Sequence, residues 1–266
     1  MNNFLQRLIT GLVASGLTTA LVYYTHYGLI LVCLIVSGLS IWEFMTLAGL
    51  SQVQYRISAL LVVAITWIFV VLDLPISPAY LVVPFGGMIF LLDKSATDIF
   101  NNLSKWVFGL AYCLLPLVLL YRLSFDASKE YKWYLPLGIL FLNWATDSFA
   151  YFAGRMFGKH PMAPSISPKK TWEGTIGGVL MCWVFGILIY MYAPKENFSW
   201  IVLIFIVSVF NQPGDLIESM LKRSVHIKDS GSILPGHGGM LDRFDSLFTI
   251  IPIAYCYLEL VKTGFL

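Results

Sequence analysis

"YGLILVCLIVSGLSIWEFMTLA", Tyr27–Ala48, has the length and apolarity of a segment that crosses a bilayer. Runs of this kind recur from one end of the 266-residue chain to the other. They place spans near 8–24, 27–48, 57–73, 78–92, 103–123, 133–154, 174–192, 198–216 and 244–261. The fourth is the least regular, because Pro84 and the Gly86-Gly87 pair interrupt it. With 58% hydrophobic and 12% charged residues, the chain holds no hydrophilic stretch long enough for a separate soluble domain. The expected fold is all-α: one polytopic membrane domain over 1–266, about nine transmembrane helices, and a polar site at one face. Residues 1–140 supply hydrophobic spans, and 141–266 carry spans together with the charged loops.

The first apolar run, after Arg7, has a signal peptide's small residues ("LVASGLTTA") but leads almost at once into another long run, so it reads as an uncleaved span. Cys33, Cys113, Cys182 and Cys256 all lie inside apolar spans without paired spacing. They read as small core residues, neither disulfides nor a zinc site.

Net charge of +2 says little, but its distribution orients the chain. With nine spans and the N-terminus inside, the cytoplasmic side receives Arg7, Arg56, Lys94, Lys105, Arg155, Lys159, Lys169, Lys170, Lys222, Arg223, Lys228 and Arg243. The opposite side receives Arg122, Lys129, Lys132, Lys195 and Lys262, so twelve of the seventeen Lys and Arg fall inside. Both charge-rich loops, 155–173 and 217–243, then face the cytoplasm, where nucleotides are.

In "NQPGDLIESMLKR", Asp215, Glu218, Ser219 and Lys222 stand at i, i+3, i+4 and i+7 on one helix face. Such a face can simply be the wet side of an interfacial helix. Yet Asp215 follows a long apolar run, where a carboxylate is costly unless it meets a cation, a metal or water. In "KDSGSILPGHGGMLDRFD", Pro235-Gly236 and Gly238-Gly239 dictate a tight loop. Glycine loops expose backbone N–H groups and let phosphate oxygens approach, although an ordinary turn uses the same residues. His237 between the glycines suits phosphate donation or proton transfer, or plain solvation. Asp242 and Asp245, at i, i+3, read either as the N-cap and first-turn acid of the last span or as hard oxygen ligands for Mg²⁺. With Asp215 on a neighbouring span and Lys222, Arg223, Lys228 and Arg243 nearby, the mixture is what polyphosphate transfer requires.

A second loop supports this. "GRMFGKHPMAPSISPKKTWEGTIGG", Gly154–Gly178, carries three prolines that argue for a stiff extended loop, and a Lys169-Lys170 pair that can grip phosphate or merely signal topology. Before it, Asp147 lies inside a span, where an acid is a functional candidate unless a neighbouring helix satisfies it.

Together these residues resemble the CDP-diacylglycerol synthases, or phosphatidate cytidylyltransferases. The resemblance is carried by Ser219-x-Leu221-Lys222-Arg223, four residues, Lys228-Asp229-x-Gly231, and Leu234-Pro235-Gly236-His237-Gly238-Gly239-Met240-x-Asp242-Arg243-Phe244-Asp245. "GDLIES" before it, "SPKKTWEG" at 167–174 and the Asp147–Gly158 stretch look like the same family, so the likeness covers roughly the second half. It implies that CTP and phosphatidate give CDP-diacylglycerol and pyrophosphate, with Mg²⁺ or Mn²⁺ and with K⁺ as a further ion. It implies catalytic roles for Asp215, Asp242, Lys170, Lys222 and Arg223, and metal ligation by Asp215, Asp242, Asp245 and Asp147. Substrate contacts would come from Lys169, Ser219, Lys228, Asp229, His237, Gly238, Gly239 and Arg243. The expected partners are the two substrates, the bilayer and a second copy in a homodimer, with no nucleic acid. The expected location is a bacterial inner membrane with the site facing the cytoplasm. A secondary transporter would show repeat symmetry and midplane polar residues, whereas most charge here lies at one face. A CTP-using lipid kinase would share the phosphate chemistry but give different products.

Overall fold

A computed structural model describes residues 3–74, 98–126, 128–196, 198–231, 233 and 238–265. Long helices dominate: α1 (Asn3–Tyr24), α2 (His26–Leu47), α3 (Val53–Val71), α4 (Ile99–Cys113), α5 (Leu115–Leu123), α6 (Tyr134–Phe157), α7 (Trp172–Tyr192), α8 (Trp200–Ser224) and α9 (Leu241–Lys262). Among the described residues, six helical segments are long and apolar enough to cross a membrane, with α4 and α5 counted as one. The expected span at 78–92 lies outside the described residues. Pro116, which has no N–H to donate, explains why α4 and α5 break at Leu114.

The sequence dictates the helix ends. Thr25, Asp98 and Thr171 cap α2, α4 and α7 by accepting from Gly28, Asn101 and Gly174 N–H. Four helices end in the same paired-bond turn. Leu50, Leu74, Ile227 and Phe265 donate back to Met45, Phe69, Lys222 and Leu260. The left-handed residue is Gly49, Asp73, His226 or Gly264. That turn stops α8 just past Lys222 and Arg223.

The chain forms two compact units, 1–118 with 229–243, and 119–228 with 244–266. In the first, α2 packs against α1, α3 and α4. Its core centres on Leu29, Cys33, Ile41, Met45, Ala59, Trp67 and Trp106, all nearly or wholly buried. Both of these tryptophans find an acceptor for the indole N–H. Trp67 Nε1 donates to Ser37 Oγ at 3.0 Å, and Trp106 Nε1 to Tyr55 O and Ser58 Oγ, each at 3.2 Å.

In the second unit α7 packs closely along α6 and also contacts α8. A Cβ on Gly174 would stand 2.8 Å from Ala150 O, and one on Gly178 2.7 Å from Thr146 O, so only glycine lets these backbones approach. The 155–173 segment is more regular than the proline reading expects. β1 (Pro161–Ala163) and β2 (Ser167–Thr171) pair antiparallel, Pro161 opposite Thr171 and Ala163 opposite Ser167. Its prolines are tolerated because a two-stranded ribbon consists only of edges. Of the four cysteines, Cys33, Cys113 and Cys182 are buried as expected, but Cys256 is exposed.

Candidate active site

α8 runs unbroken through Pro213 to Ser224, so its polar face continues the helix that begins at Trp200. The i, i+3, i+4, i+7 face points inward: Glu218 is fully buried, and Ser219 and Lys222 nearly so. The wet-surface alternative is thereby excluded. Lys222 Nζ pairs with Glu218 Oε2 one turn earlier, and Ser219 Oγ donates to Asp215 Oδ1 at 3.3 Å. From β2, Lys170 Nζ reaches Asp215 Oδ2 at 2.6 Å, while Lys169 beside it is exposed. The β-ribbon register aims one lysine inward and leaves its neighbour outside.

Asp147 on α6 is held by amides. Asn211 Nδ2 donates to its Oδ1 at 2.8 Å and Asn143 Nδ2 to its Oδ2 at 3.3 Å. Asn211 also donates to Asn143 Oδ1 at 2.9 Å. A neighbouring helix does satisfy this acid, whose own helix α6 is not among the six membrane-length segments. Asp245 on α9 is buried and accepts from Ser246 N at 2.7 Å. It feels the charges of Asp215, Glu218 and Asp147. Gly214 makes this grouping possible: a Cβ there would lie 2.7 Å from Ser246 Cα, so α8 and α9 touch backbone to backbone beside Asp215 and Asp245.

The second unit thus gathers four carboxylates, Asp147, Asp215, Glu218 and Asp245, around two ammonium groups, Lys170 and Lys222. Hard oxygen donors with surplus negative charge suit a divalent cation such as Mg²⁺. In their present rotamers each carboxylate is engaged by a lysine, an amide or a backbone N–H. Among the described residues no group of three or more His, Cys, Asp or Glu side chains is already disposed as a metal cage. The donor set fits the ion in kind and charge, and ligation requires these side chains to turn from their present partners.

Arg223 serves the scaffold here: Nε donates to Ile166 O at 3.1 Å in the β-ribbon turn, and a terminal nitrogen to Ile227 O at 2.6 Å. Lys228 is exposed.

In the first unit the glycine segment is anchored at both ends. Asp242 is not the N-cap of α9, which starts one residue earlier at Leu241. Its Oδ2 accepts from Gly239 N at 2.9 Å and Ser230 N at 3.0 Å, tying the segment's two ends together. Gly238 takes φ +80, a backbone that side chains rarely adopt. Asp229 and Arg243 are exposed, and His237 lies outside the described residues.

The capping role belongs to Glu43 of α2, which sequence reasoning did not single out. Its carboxylate accepts from Met240 N at 3.1 Å, Leu241 N at 2.9 Å and Ser230 Oγ at 3.1 Å, while only 3% exposed. One signal was present: Glu43 is the only acidic residue in the apolar run Tyr27–Ala48.

A glycine-rich segment tied at its neck, and elsewhere a buried set of carboxylates and lysines, stand in a chain of long apolar helices, as in a membrane protein. A model of the Cytidylyltransferase family matches residues 5–261. The chain belongs to that family. It is 47% identical over 119 residues to the phosphatidate cytidylyltransferase of Bacillus subtilis (strain 168), covering 44% of each chain. It is 39% identical over 148 residues to that of Staphylococcus saprophyticus, covering 54% of this chain and 56% of the relative. The enzyme of that name from Staphylococcus aureus (strain COL) is 43% identical over 149 residues, again 54% and 56%. The chain spans about half the length of the curated relatives it matches.

Proposed function

We propose that the protein is a phosphatidate cytidylyltransferase, transferring the cytidylyl group of CTP to phosphatidate and releasing pyrophosphate. The observation that carries the reading is the Lys170–Asp215 and Lys222–Glu218 pairing, in a chain whose signature residues Ser219–Asp245 resemble those of such enzymes. The relatives that bear this name support it.

The reaction needs no protein nucleophile. A phosphate oxygen of phosphatidate attacks the α-phosphorus of CTP, a new P–O bond forms, and the bond to the β-phosphate breaks. Asp215 and Asp242 are the proposed principal metal ligands, with Asp245 and Asp147 as further oxygen donors. Bound Mg²⁺ or Mn²⁺ would neutralise triphosphate charge and favour the leaving pyrophosphate. Lys170, beside the proposed ligand Asp215, and Lys222, paired with Glu218, would offset phosphate charge. Exposed Lys169, Lys228 and Arg243 meet the incoming polyanions, and Gly238-Gly239 admit the nucleotide closely. Because both substrates are anionic and one is a soluble nucleotide, the site belongs at the cytoplasmic face, in the sense that the twelve-to-five distribution of Lys and Arg gives.

The deciding experiment supplies purified protein with CTP, phosphatidate and Mg²⁺ and identifies the products. CDP-lipid with pyrophosphate is expected. CDP with a newly phosphorylated lipid would make it a kinase, and no turnover of either substrate would remove the reading. Lipid-free enzyme should neither retain label from α-labelled CTP nor exchange CTP with pyrophosphate, since either would demand a covalent intermediate.

A further inference from the structure

We propose that Glu43 is a positioning residue for the transfer: it fixes both ends of the glycine segment, and through them Asp242 and Gly238-Gly239. This rests on the cytidylyltransferase reading for its kinetic consequences, though not for its structural ones.

Three observations converge on Glu43. First, its carboxylate is buried in the first unit and accepts three hydrogen bonds, two from the backbone that opens α9 and one from Ser230 on the far side of the segment. A helix start has unpaired N–H groups and attracts negative charge. Here the cap comes from Glu43, 197 to 198 positions away in sequence. Second, the segment is shaped around it. A Cβ on Gly231 would sit 2.4 Å from Glu43 Oε1, and one on Gly239 2.5 Å from Oε2. These two glycines are therefore spacers for a carboxylate. Third, Asp242 binds the same two ends, Ser230 N and Gly239 N, so the two acids clamp one neck from opposite partners. A clamp with two carboxylates leaves Asp242 little freedom, which a ligand or phosphate neighbour requires.

Glutamine is the informative replacement. It keeps the volume but has one acceptor oxygen and turns an NH₂ toward groups that are themselves donors. In Glu43→Gln, amide hydrogen exchange should quicken in peptides covering 229–243 while the rest of the first unit keeps its protection. Turnover at saturating CTP and phosphatidate should fall at least tenfold, with the melting temperature within a few degrees of wild type. The Mg²⁺ concentration giving half-maximal rate should rise. Glu43→Asp, which keeps the charge on a shorter arm, should recover part of the lost rate. Ser230→Ala removes one bond, should lose less, and in combination with Glu43→Gln should cost less than the product of the two single losses. Wild-type turnover with unchanged exchange in Glu43→Gln overturns the proposal. So does loss of protection throughout the first unit, which would make Glu43 a general core residue. Should Glu43→Gln fail to accumulate, Ser230→Ala alone decides, since unchanged exchange and rate there sink the clamp. If wild-type protein makes no CDP-lipid, the assigned reaction fails, and the exchange measurements still judge Glu43.

Discussion

Lys170 Nζ of the β-ribbon sits 2.6 Å from Asp215 Oδ2 on α8, with the lysine 17% and the aspartate 30% exposed. The pair is reachable from water yet largely sheltered, and it joins a basic loop to the carboxylate most central to the proposed transfer. An ion pair in such a place costs desolvation that stability alone does not return. The pair belongs to the same unit as Glu218, Asp147 and Asp245, and this placement suits the proposed transfer.

Asp215→Asn should therefore abolish turnover while leaving a folded, membrane-inserted protein. The change removes one ligand charge at nearly constant volume. Charge stabilisation by a bound metal is typically worth several kcal/mol in the transition state, a loss of roughly a hundredfold or more. CDP-lipid formation at saturating Mg²⁺ measures it, and a wild-type rate would remove Asp215 from the mechanism. Asp242→Asn is expected to lose activity similarly, with added loosening at Ser230 and Gly239.

Asp245→Asn separates function from stability. Asp245 is buried among like charges and accepts only from Ser246 among the bonds named above. Neutralising it relieves repulsion, so the variant should melt higher than wild type in EDTA, by an amount on the order of 1 kcal/mol in free energy. Mg²⁺ should raise the wild-type melting temperature more than that of the variant, as binding to the folded form alone dictates. A lower melting point in EDTA would show that Asp245 supports the fold instead.

Much of this architecture was legible in the residues. Apolar runs of bilayer length placed the starts of the six membrane-length segments to within four residues, although α8 continues eight residues past its run, and the runs at 8–24 and 133–154 fall on helices outside those six. The inward face of Asp215, Glu218, Ser219 and Lys222 followed from helical spacing. What escaped the reading depends on distant partners. Glu43 meets its donors nearly two hundred residues on, and no local pattern announces that. Asp242 looked like an N-cap because cap chemistry is written in short spacings, whereas Glu43 fills that role from another helix. Asn143 and Asn211 became visible as keepers of Asp147 only once α6 and α8 were packed. The paired strands at 161–171 were hidden by prolines that extended loops and edge ribbons accept equally.

Sidedness is testable without activity. In a background lacking the four native cysteines, Ser165→Cys in the β-ribbon turn should react with a membrane-impermeant thiol reagent only after the cytoplasmic face is opened. Ser128→Cys, in the loop where Lys132 pairs with Asp126 at 3.1 Å, should react in intact cells. The opposite pattern would overturn the orientation drawn from the Lys and Arg distribution and place the lysine pairs away from CTP.

Gly214→Ala should uncouple packing from chemistry. The new methyl would meet Ser246 Cα at 2.7 Å and Ser246 O at 3.0 Å, both backbone atoms that no rotamer change can move aside. α8 and α9 must then separate locally, at the point that brings Asp215 near Asp245. Overpacking of this kind costs about 1–3 kcal/mol, which thermal unfolding in detergent will register as a moderate loss. The larger effect should fall on turnover, because displacements on the order of 1 Å in a catalytic constellation can cost a hundredfold. Gly16→Ala, at a glycine of α1 with nothing within 4 Å of the added methyl, is the control and should leave both quantities unchanged. If Gly214→Ala keeps wild-type turnover despite its lower melting point, the contact between α8 and α9 supports the fold only, and the grouping of Asp215 with Asp245 is not needed for the reaction.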